Sequence, residues 1–199
     1  MAPDGLPEPI AVAVAFTQVL ERLGVPYVIG GSVASSVHGE PRSTNDIDVV
    51  AKLEVADIGS LVAAIAPDYY VSETAVRDAV HERGTFNAIH VGTAVKVDVF
   101  VAGDEPFEAE RLRLRERVPV SADPPVHLFV DTAEHVVLRK LEWFRRGGEA
   151  SERQWRDVVG VLRARAERLD LARLREWAAR LEVSDLLDRA LAESRGPMR

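Results

Sequence analysis

The sequence predicts a mixed α/β protein of the α+β kind. A mixed β-sheet flanked by helices fills the first two-thirds of the chain, and a C-terminal helical bundle follows. Three observations lead there. Before residue 131, short runs of strand-like alternation are interleaved with stripes at helical spacing. Phe86–Val91 and Val95–Val101 alternate cleanly about Gly92-Thr93, which is a hairpin signal. From Asp131 onward every apolar pattern has helical spacing. The chain therefore divides into a sheet-based domain over 1–130 and a helical domain over 131–199. Its 199 residues, 47% hydrophobic, suffice for a sizeable core.

Taken in order, residues 8–23 carry Ile10, Val14, Phe16, Val19, Leu20 and Leu23 at helical spacing, and Gly24 stops the pattern. Pro26 opens a strand at Tyr27–Ile29. After Gly30-Gly31, Ser32 reads as the N-cap of a short helix through Val37. Residues 39–44, GEPRST, form a loop on their turn residues. Asn45–Ala51 reads as a strand and Ala56–Ile65 as a helix ended by Pro67. A short strand at Tyr69–Val71 and a helix at Thr74–His81, closed by Gly84, precede the hairpin. Glu108–Arg117 is charge-dense and fits either state. Pro124-Pro125 gives a turn and Val126–Val130 a strand. Asp131 with Glu134 resembles a capping box for a helix to Arg146. Further helices cover Ser151–Arg168, Leu171–Leu181 and Ser184–Ser194.

Composition excludes several classes of function. The chain has no cysteine, so disulfides, thiolate metal sites and cysteine nucleophiles are out. A formal net charge of -7 argues against non-specific coating of nucleic acid. Basic residues do recur from Arg139 to Arg168, but Glu142, Glu149, Glu152 and Glu167 are interleaved, which favours solvated helix faces over a phosphate-binding surface. The N-terminal MAPDGLPEP lacks the basic start of a secretory signal, and no apolar run approaches bilayer length. The expectation is a cytoplasmic protein that does not engage a membrane.

The chemistry concentrates in Tyr27–Val50. Residues two apart on a strand share a face, so Asp46 and Asp48 lie side by side while Ile47 and Val49 face the core. Two anions that close persist with a cation between them or with one protonated. A divalent metal answers this, and two solvated aspartates on an edge strand are the plain alternative. A Gly-Gly-Ser turn (Gly30, Gly31, Ser32) between strand and helix lets backbone approach a polyphosphate, whose oxygens the helix-start amides and the Ser32 hydroxyl can hold. Magnesium prefers oxygen ligands and binds substrate phosphates at the same time. On the later strand Lys96 and Asp98 share a face, and if the two strands are neighbours, three carboxylates converge. Such a set suits phosphoryl or nucleotidyl transfer with two metals about 3.5–4 Å apart. Asp98 then binds the first metal or takes the hydroxyl proton. Arg42 and Thr44, in the preceding loop, either touch the nucleotide or shape the turn.

Gly30-Gly31-Ser32, then Asp46-Ile47-Asp48, then Asp98 resembles the signature of the polymerase-β-like nucleotidyltransferase superfamily. The segments YVIGGSVASSVHGEPRSTNDIDVV, FNAIHVGTAVKVDVF and DTAEHVVLRKLEWFRRGGEASERQWRDVVGVL resemble more narrowly its AbiEii-type branch, which includes toxins of type IV toxin–antitoxin systems. The resemblance spans residues 10–165. It implies a nucleotidyltransferase-type sheet, an NTP co-substrate, release of pyrophosphate, and magnesium held by Asp46 and Asp48 with Gly31 and Ser32 on the phosphates. It matches Lys140 to a lysine near the triphosphate and Asp157 to the last motif's aspartate, on a helical domain that completes the active-site cleft. Read alone, Lys140 lies at the edge of an apolar stripe from which its ammonium either finds a partner or reaches solvent, and Asp157 pairs along its helix with Arg153. The implied acceptor is a tRNA end or a protein side chain, with a cognate antitoxin as a further partner. A small-molecule adenylyltransferase of the aminoglycoside type and a non-catalytic nucleotide-binding partner protein are the alternatives.

Overall fold

A computed structural model describes residues 5–196. Residues 1–4, which begin the stretch read against a secretion signal, lie outside the described residues. The chain divides into two compact units. One holds the residues through Ser32 together with Ser43–Val130, and the other holds Val33–Arg42 and the chain from Asp131.

In the sheet unit the elements run α1 (Glu8–Arg22), β1 (Tyr27–Ile29), the start of α2 (Gly31–His38), and β2 (Asp46–Ala51). A 3-10 turn at Val55–Asp57, α3 (Ile58–Ile65), β3 (Tyr69–Tyr70) and α4 (Glu73–Glu82) follow. Next come β4 (Thr85–His90), β5 (Lys96–Val101), α5 (Pro106–Leu114), β6 (Glu116–Ala122) and β7 (Pro125–Val130). The seven strands form one mixed sheet in the order β3-β4-β5-β2-β1-β7-β6. The parallel β2/β5 pair sits near its middle, with β4 and β1 antiparallel on either side.

Register assigns the two faces of the sheet. Tyr27, Ile29, Ile47, Val49, Val97 and Val99 share one face and are almost fully buried. Helices α1, α3 and α4 pack with this layer, where Phe16, Leu20, Leu61 and Ile65 are also buried. Each such side chain removed from water contributes about 1.5–3 kcal/mol. The opposite face has a smaller apolar cluster of Val28, Val50 and Ala102 with Phe100 and Leu112, so α5 covers only part of it. At the other end of that same face, β2 and β5 begin with Asp46, Asp48, Lys96 and Asp98.

The region 108–117, ambiguous in sequence, is the end of α5 followed by β6. The helix escapes periodicity analysis because its buried face includes an ion pair, Arg111 Nη1 donating to Glu108 Oε2 at 2.9 Å, in place of an apolar stripe. Strand β6 lies at the sheet edge, where Pro119 costs no ladder hydrogen bond to a further strand.

The helical unit holds α6 (Ala133–Arg146), α7 (Glu152–Arg165), α8 (Leu171–Arg180) and α9 (Ser184–Ser194). Leu138, Leu141, Val158, Leu162, Leu174 and Leu187 form its core. Residues 33–42 join this unit for physical reasons. Arg165 donates to the Val37 carbonyl, His38 Nε2 donates to the Asp131 carbonyl at 2.6 Å, and Gly39 lies against Val161. Thr132, not Asp131, caps α6, its hydroxyl accepting from the His135 amide. Asp131 is buried one residue earlier. Among the described residues no helix is long and apolar enough to cross a membrane.

Candidate active site

Alternation along β2 puts Asp46 and Asp48 on one face, with Ile47 and Val49 fully buried on the other. The parallel register then sets Asp48 beside Asp98 and Asp46 beside Lys96. The structure therefore brings the three candidate carboxylates onto one face of two adjacent strands.

Lys96 lies among them. Its Nζ is 2.9 Å from Asp98 Oδ2 and 3.8 Å from Asp46 Oδ1. The hydrogen bond to Asp98 above all, aided by the Asp46 and Asp48 charges, pushes the ammonium above the usual lysine range. From the neighbouring β4, Asn87 pairs in register with Asp98, and its amide nitrogen, in the orientation its surroundings require, donates to Asp98 Oδ1 at 2.6 Å. Sequence reasoning placed Lys96 on this face but gave it no role, and it missed Asn87. The signal for Lys96 was its i, i+2 spacing from Asp98. Asn87 needs the β4/β5 register.

Asp48 meets the glycine turn directly. Gly31 has φ +54, and a Cβ built on it would lie 1.7 Å from Asp48 Oδ2. Only glycine allows the carboxylate that close, and glycine adopts this φ without strain. The Gly30 amide donates to the Asp48 carbonyl at 2.9 Å, so it extends the sheet and does not point at a ligand. Ser32 is the second residue of α2 and buried, where an N-cap position was expected, because the helix already starts at the left-handed Gly31. Thr44 shapes the entry to β2, its hydroxyl donating to the Asp46 carbonyl at 3.0 Å and accepting from the Asp46 amide.

Among the described residues no three acidic or histidine side chains close around one point as a ready-made metal cage. The donor chemistry nonetheless fits a hard divalent cation. Asp98 and Asp46 both turn oxygens toward one point charge, the Lys96 ammonium, which stands in for a cation there.

The helical unit gathers the second set. Lys140 is buried, and its Nζ donates to Asp157 Oδ2 at 2.7 Å and to Gln154 Oε1 at 3.1 Å. Its ammonium therefore does not reach solvent. Arg42 donates from Nε to Asp157 Oδ1 at 3.2 Å and from Nη2 to Oδ2 at 3.1 Å, the two-point fork that guanidinium geometry favours. Ser35 Oγ is 3.5 Å from the same carboxylate. Burial alone would raise the Asp157 carboxyl, but the hydrogen bonds from Lys140 and Arg42 outweigh it and hold the group below the usual range. Asp157 thus joins α6, α7 and the segment after α2 within one unit. In the basic stretch, Arg139 and Arg146 pair with Glu142, and Arg145 pairs with Glu149 and Asp185.

The overall architecture is shared with solved structures. An antigenic nucleotidyltransferase-like protein from Paracoccidioides brasiliensis is similar at 17% identity, with 94% of each chain covered and a TM-score of 0.55. The antibiotic-resistance factor ANT(2'')-Ia in solution is similar at 15% identity over 92% of this chain and 94% of that one, TM-score 0.52. Its structure in complex with adenylyl-2''-tobramycin aligns over 87% and 96% at 14% identity, TM-score 0.55. This chain has a nucleotidyltransferase-like fold. No family model and no curated protein matches the sequence. In this fold the face that α5 leaves partly open holds the carboxylates and the glycine turn.

Proposed function

We propose that the protein is a metal-dependent nucleotidyltransferase that moves a nucleoside monophosphate from an NTP to an acceptor hydroxyl and releases pyrophosphate. The observation that carries this reading is Asp48, seated against the glycine that starts α2 and beside Asp98 in register. It joins the glycine turn and the carboxylates in one place. Asp46, Asp48 and Asp98 would hold magnesium, which when bound neutralises phosphate charge and favours loss of the acceptor proton. The remaining work belongs to the chain itself. The first amides of α2 and the Ser32 hydroxyl hold phosphate oxygens. Asn87 fixes Asp98 Oδ1, so Oδ2 is the oxygen directed at the reacting groups. For Lys140 the resemblance implies a triphosphate contact, with Asp157 as the residue that positions the ammonium.

For the acceptor, a tRNA end or a protein side chain, in the manner of a toxin with a cognate antitoxin, rests on the AbiEii-type resemblance. A small-molecule acceptor is a second reading. It is supported by the likeness to ANT(2'')-Ia, which was solved with an adenylylated tobramycin and aligns with this chain over almost all of its length.

The test incubates the protein with each radiolabelled NTP, magnesium and, separately, total tRNA, purified cell protein or an aminoglycoside. Label on one acceptor names the branch. Label on none, with no NTP-dependent release of pyrophosphate, removes the enzymatic reading and leaves nucleotide binding alone. Asp48→Ala abolishes transfer on this reading, and retained transfer in that variant refutes the carboxylate mechanism.

A further inference from the structure

Lys96 begins β5 between two carboxylates, with its Nζ 2.9 Å from Asp98 and 3.8 Å from Asp46. We propose that Lys96 is a built-in counter-ion of the metal site. Its ammonium holds the carboxylates together while no metal is bound and swings out when a divalent cation enters. The inference rests on the metal-dependent reading above and adds to it a residue that competes with the metal.

Three features separate this arrangement from an ordinary surface ion pair. First, the register leaves the carboxylates little choice of position: Asp48 and Asp98 are paired across β2/β5, and Asp46 stands beside Lys96 itself. Without a cation, three like charges on one sheet face repel. Second, Asp98 is held from its other side, because the Asn87 amide binds Oδ1 while Lys96 binds Oδ2. A metal can therefore replace Lys96 on Oδ2 without the carboxylate turning. Third, the lysine is free to leave. Its side chain is 38% exposed, against 17% for Asp98, and a flexible four-carbon stem carries a compact charge that water solvates well. Lys96 is thus strong enough to organise the site and weak enough to yield to a divalent ion. The consequence is a raised threshold for metal alone, which favours entry of the metal together with the anionic triphosphate.

Calorimetric titration with Mg²⁺ or Mn²⁺ alone tests this on the intact protein. Lys96→Met is expected to bind metal about threefold to fivefold more tightly, the upper part of the range a part-exposed ion pair supports. Its metal-free form is expected to melt lower and to recover more on metal addition than the wild type. Lys52→Met is the control for net charge. Lys52 follows the far end of β2, where it pairs with Asp104 and Glu54, about 20 Å along the strand from Asp46 at ~3.3 Å per residue. Its affinity is expected to stay within twofold of wild type. Equal or weaker metal binding in Lys96→Met overturns the inference while leaving the metal site standing. Equal tightening in both variants overturns it as well, because net charge then explains the effect. No binding by wild type or either variant refutes the metal-dependent reading itself, and the inference falls with it.

Discussion

Asp157→Ala removes a carboxylate that Lys140 and Arg42 share, and its cost follows from their burial. The Lys140 side chain is 7% exposed and that of Asp157 9%, whereas Arg42 keeps 24%. Breaking a buried pair by deleting one partner costs about 3–5 kcal/mol, because the other charge is left uncompensated out of water. Gln154 still accepts from Lys140, and Arg42 retains some solvent, so the lower end applies: about 3 kcal/mol, or ~100-fold in the unfolding constant. Urea unfolding followed by tryptophan fluorescence isolates the effect. Trp143, Trp155 and Trp177 are the only tryptophans, and all three lie in the helical unit. The double variant Lys140→Met/Asp157→Leu is expected to recover part of the loss, since the buried ammonium goes together with its carboxylate and only the more exposed Arg42 still loses that partner. The pH dependence has a definite sign. The folded carboxyl lies below its unfolded value near 3.9, so its stabilisation is complete above about pH 4 and is lost as pH falls through the lower folded value. The gap between wild type and Asp157→Ala therefore closes in acid. A loss under about 1 kcal/mol, or a gap that widens as pH falls, refutes the argument.

Three other outcomes follow from the structure. Gly31→Ala forces a Cβ into Asp48 Oδ2 at a φ of +54; it is expected to cost at least about 1 kcal/mol in denaturant unfolding and to lower transfer far more than stability alone explains. Burial, partly offset by a hydrogen bond from Thr17, pushes the Tyr27 phenol up to about 12. Its raised value stabilises the fold below pH 10, and that contribution is lost as pH rises toward 12, so a tyrosinate absorbance titration should show a late-ionising tyrosine that shifts to the ordinary value in urea. Lys140→Met/Asp157→Leu keeps the helical unit packed but removes the ammonium. If Lys140 serves the triphosphate, the KM for NTP rises at least about tenfold in that variant, the scale of one lost charge-assisted hydrogen bond, while an unchanged KM assigns Lys140 to the fold alone.

How much of this was legible in sequence depends on the range of each interaction. Alternation is a local property, and it was enough to put Asp46 and Asp48 on one face, to bury Ile47 and Val49 opposite them, and to set Lys96 on the same face as Asp98. The chain-order motif marked Gly31, but it could not show that Asp48 presses against its missing side chain. The Ser32 cap was misjudged because a left-handed glycine can start a helix one residue earlier than a hydroxyl signals. Segment 108–117 was unreadable because α5 buries an ion pair, Glu108 with Arg111, where a periodicity search looks for leucine or valine.

The same limit of range explains why the distant partners of Asp157 were not legible in sequence. Along α7 the nearest basic partner by spacing is Arg153, one helical turn away, and pattern analysis always prefers such a pair because it needs no knowledge of the fold. The structure gives Asp157 two partners from far along the chain, Arg42 at 115 residues and Lys140 at 17. Buried charge decides between local and distant readings. A surface i, i+4 pair is worth only about 0.3–0.5 kcal/mol, whereas a buried ammonium without an anion costs several times that, so burial of Lys140 compels the distant partner. Asp98 follows the same logic on the sheet. A carboxylate that is 17% exposed inside a valine-rich strand must be answered from neighbouring side chains, and Lys96 and Asn87 answer it. In both units, a charge that local pattern would send to solvent has a partner that only tertiary structure supplies: Asn87 for Asp98, and Lys140 with Arg42 for Asp157.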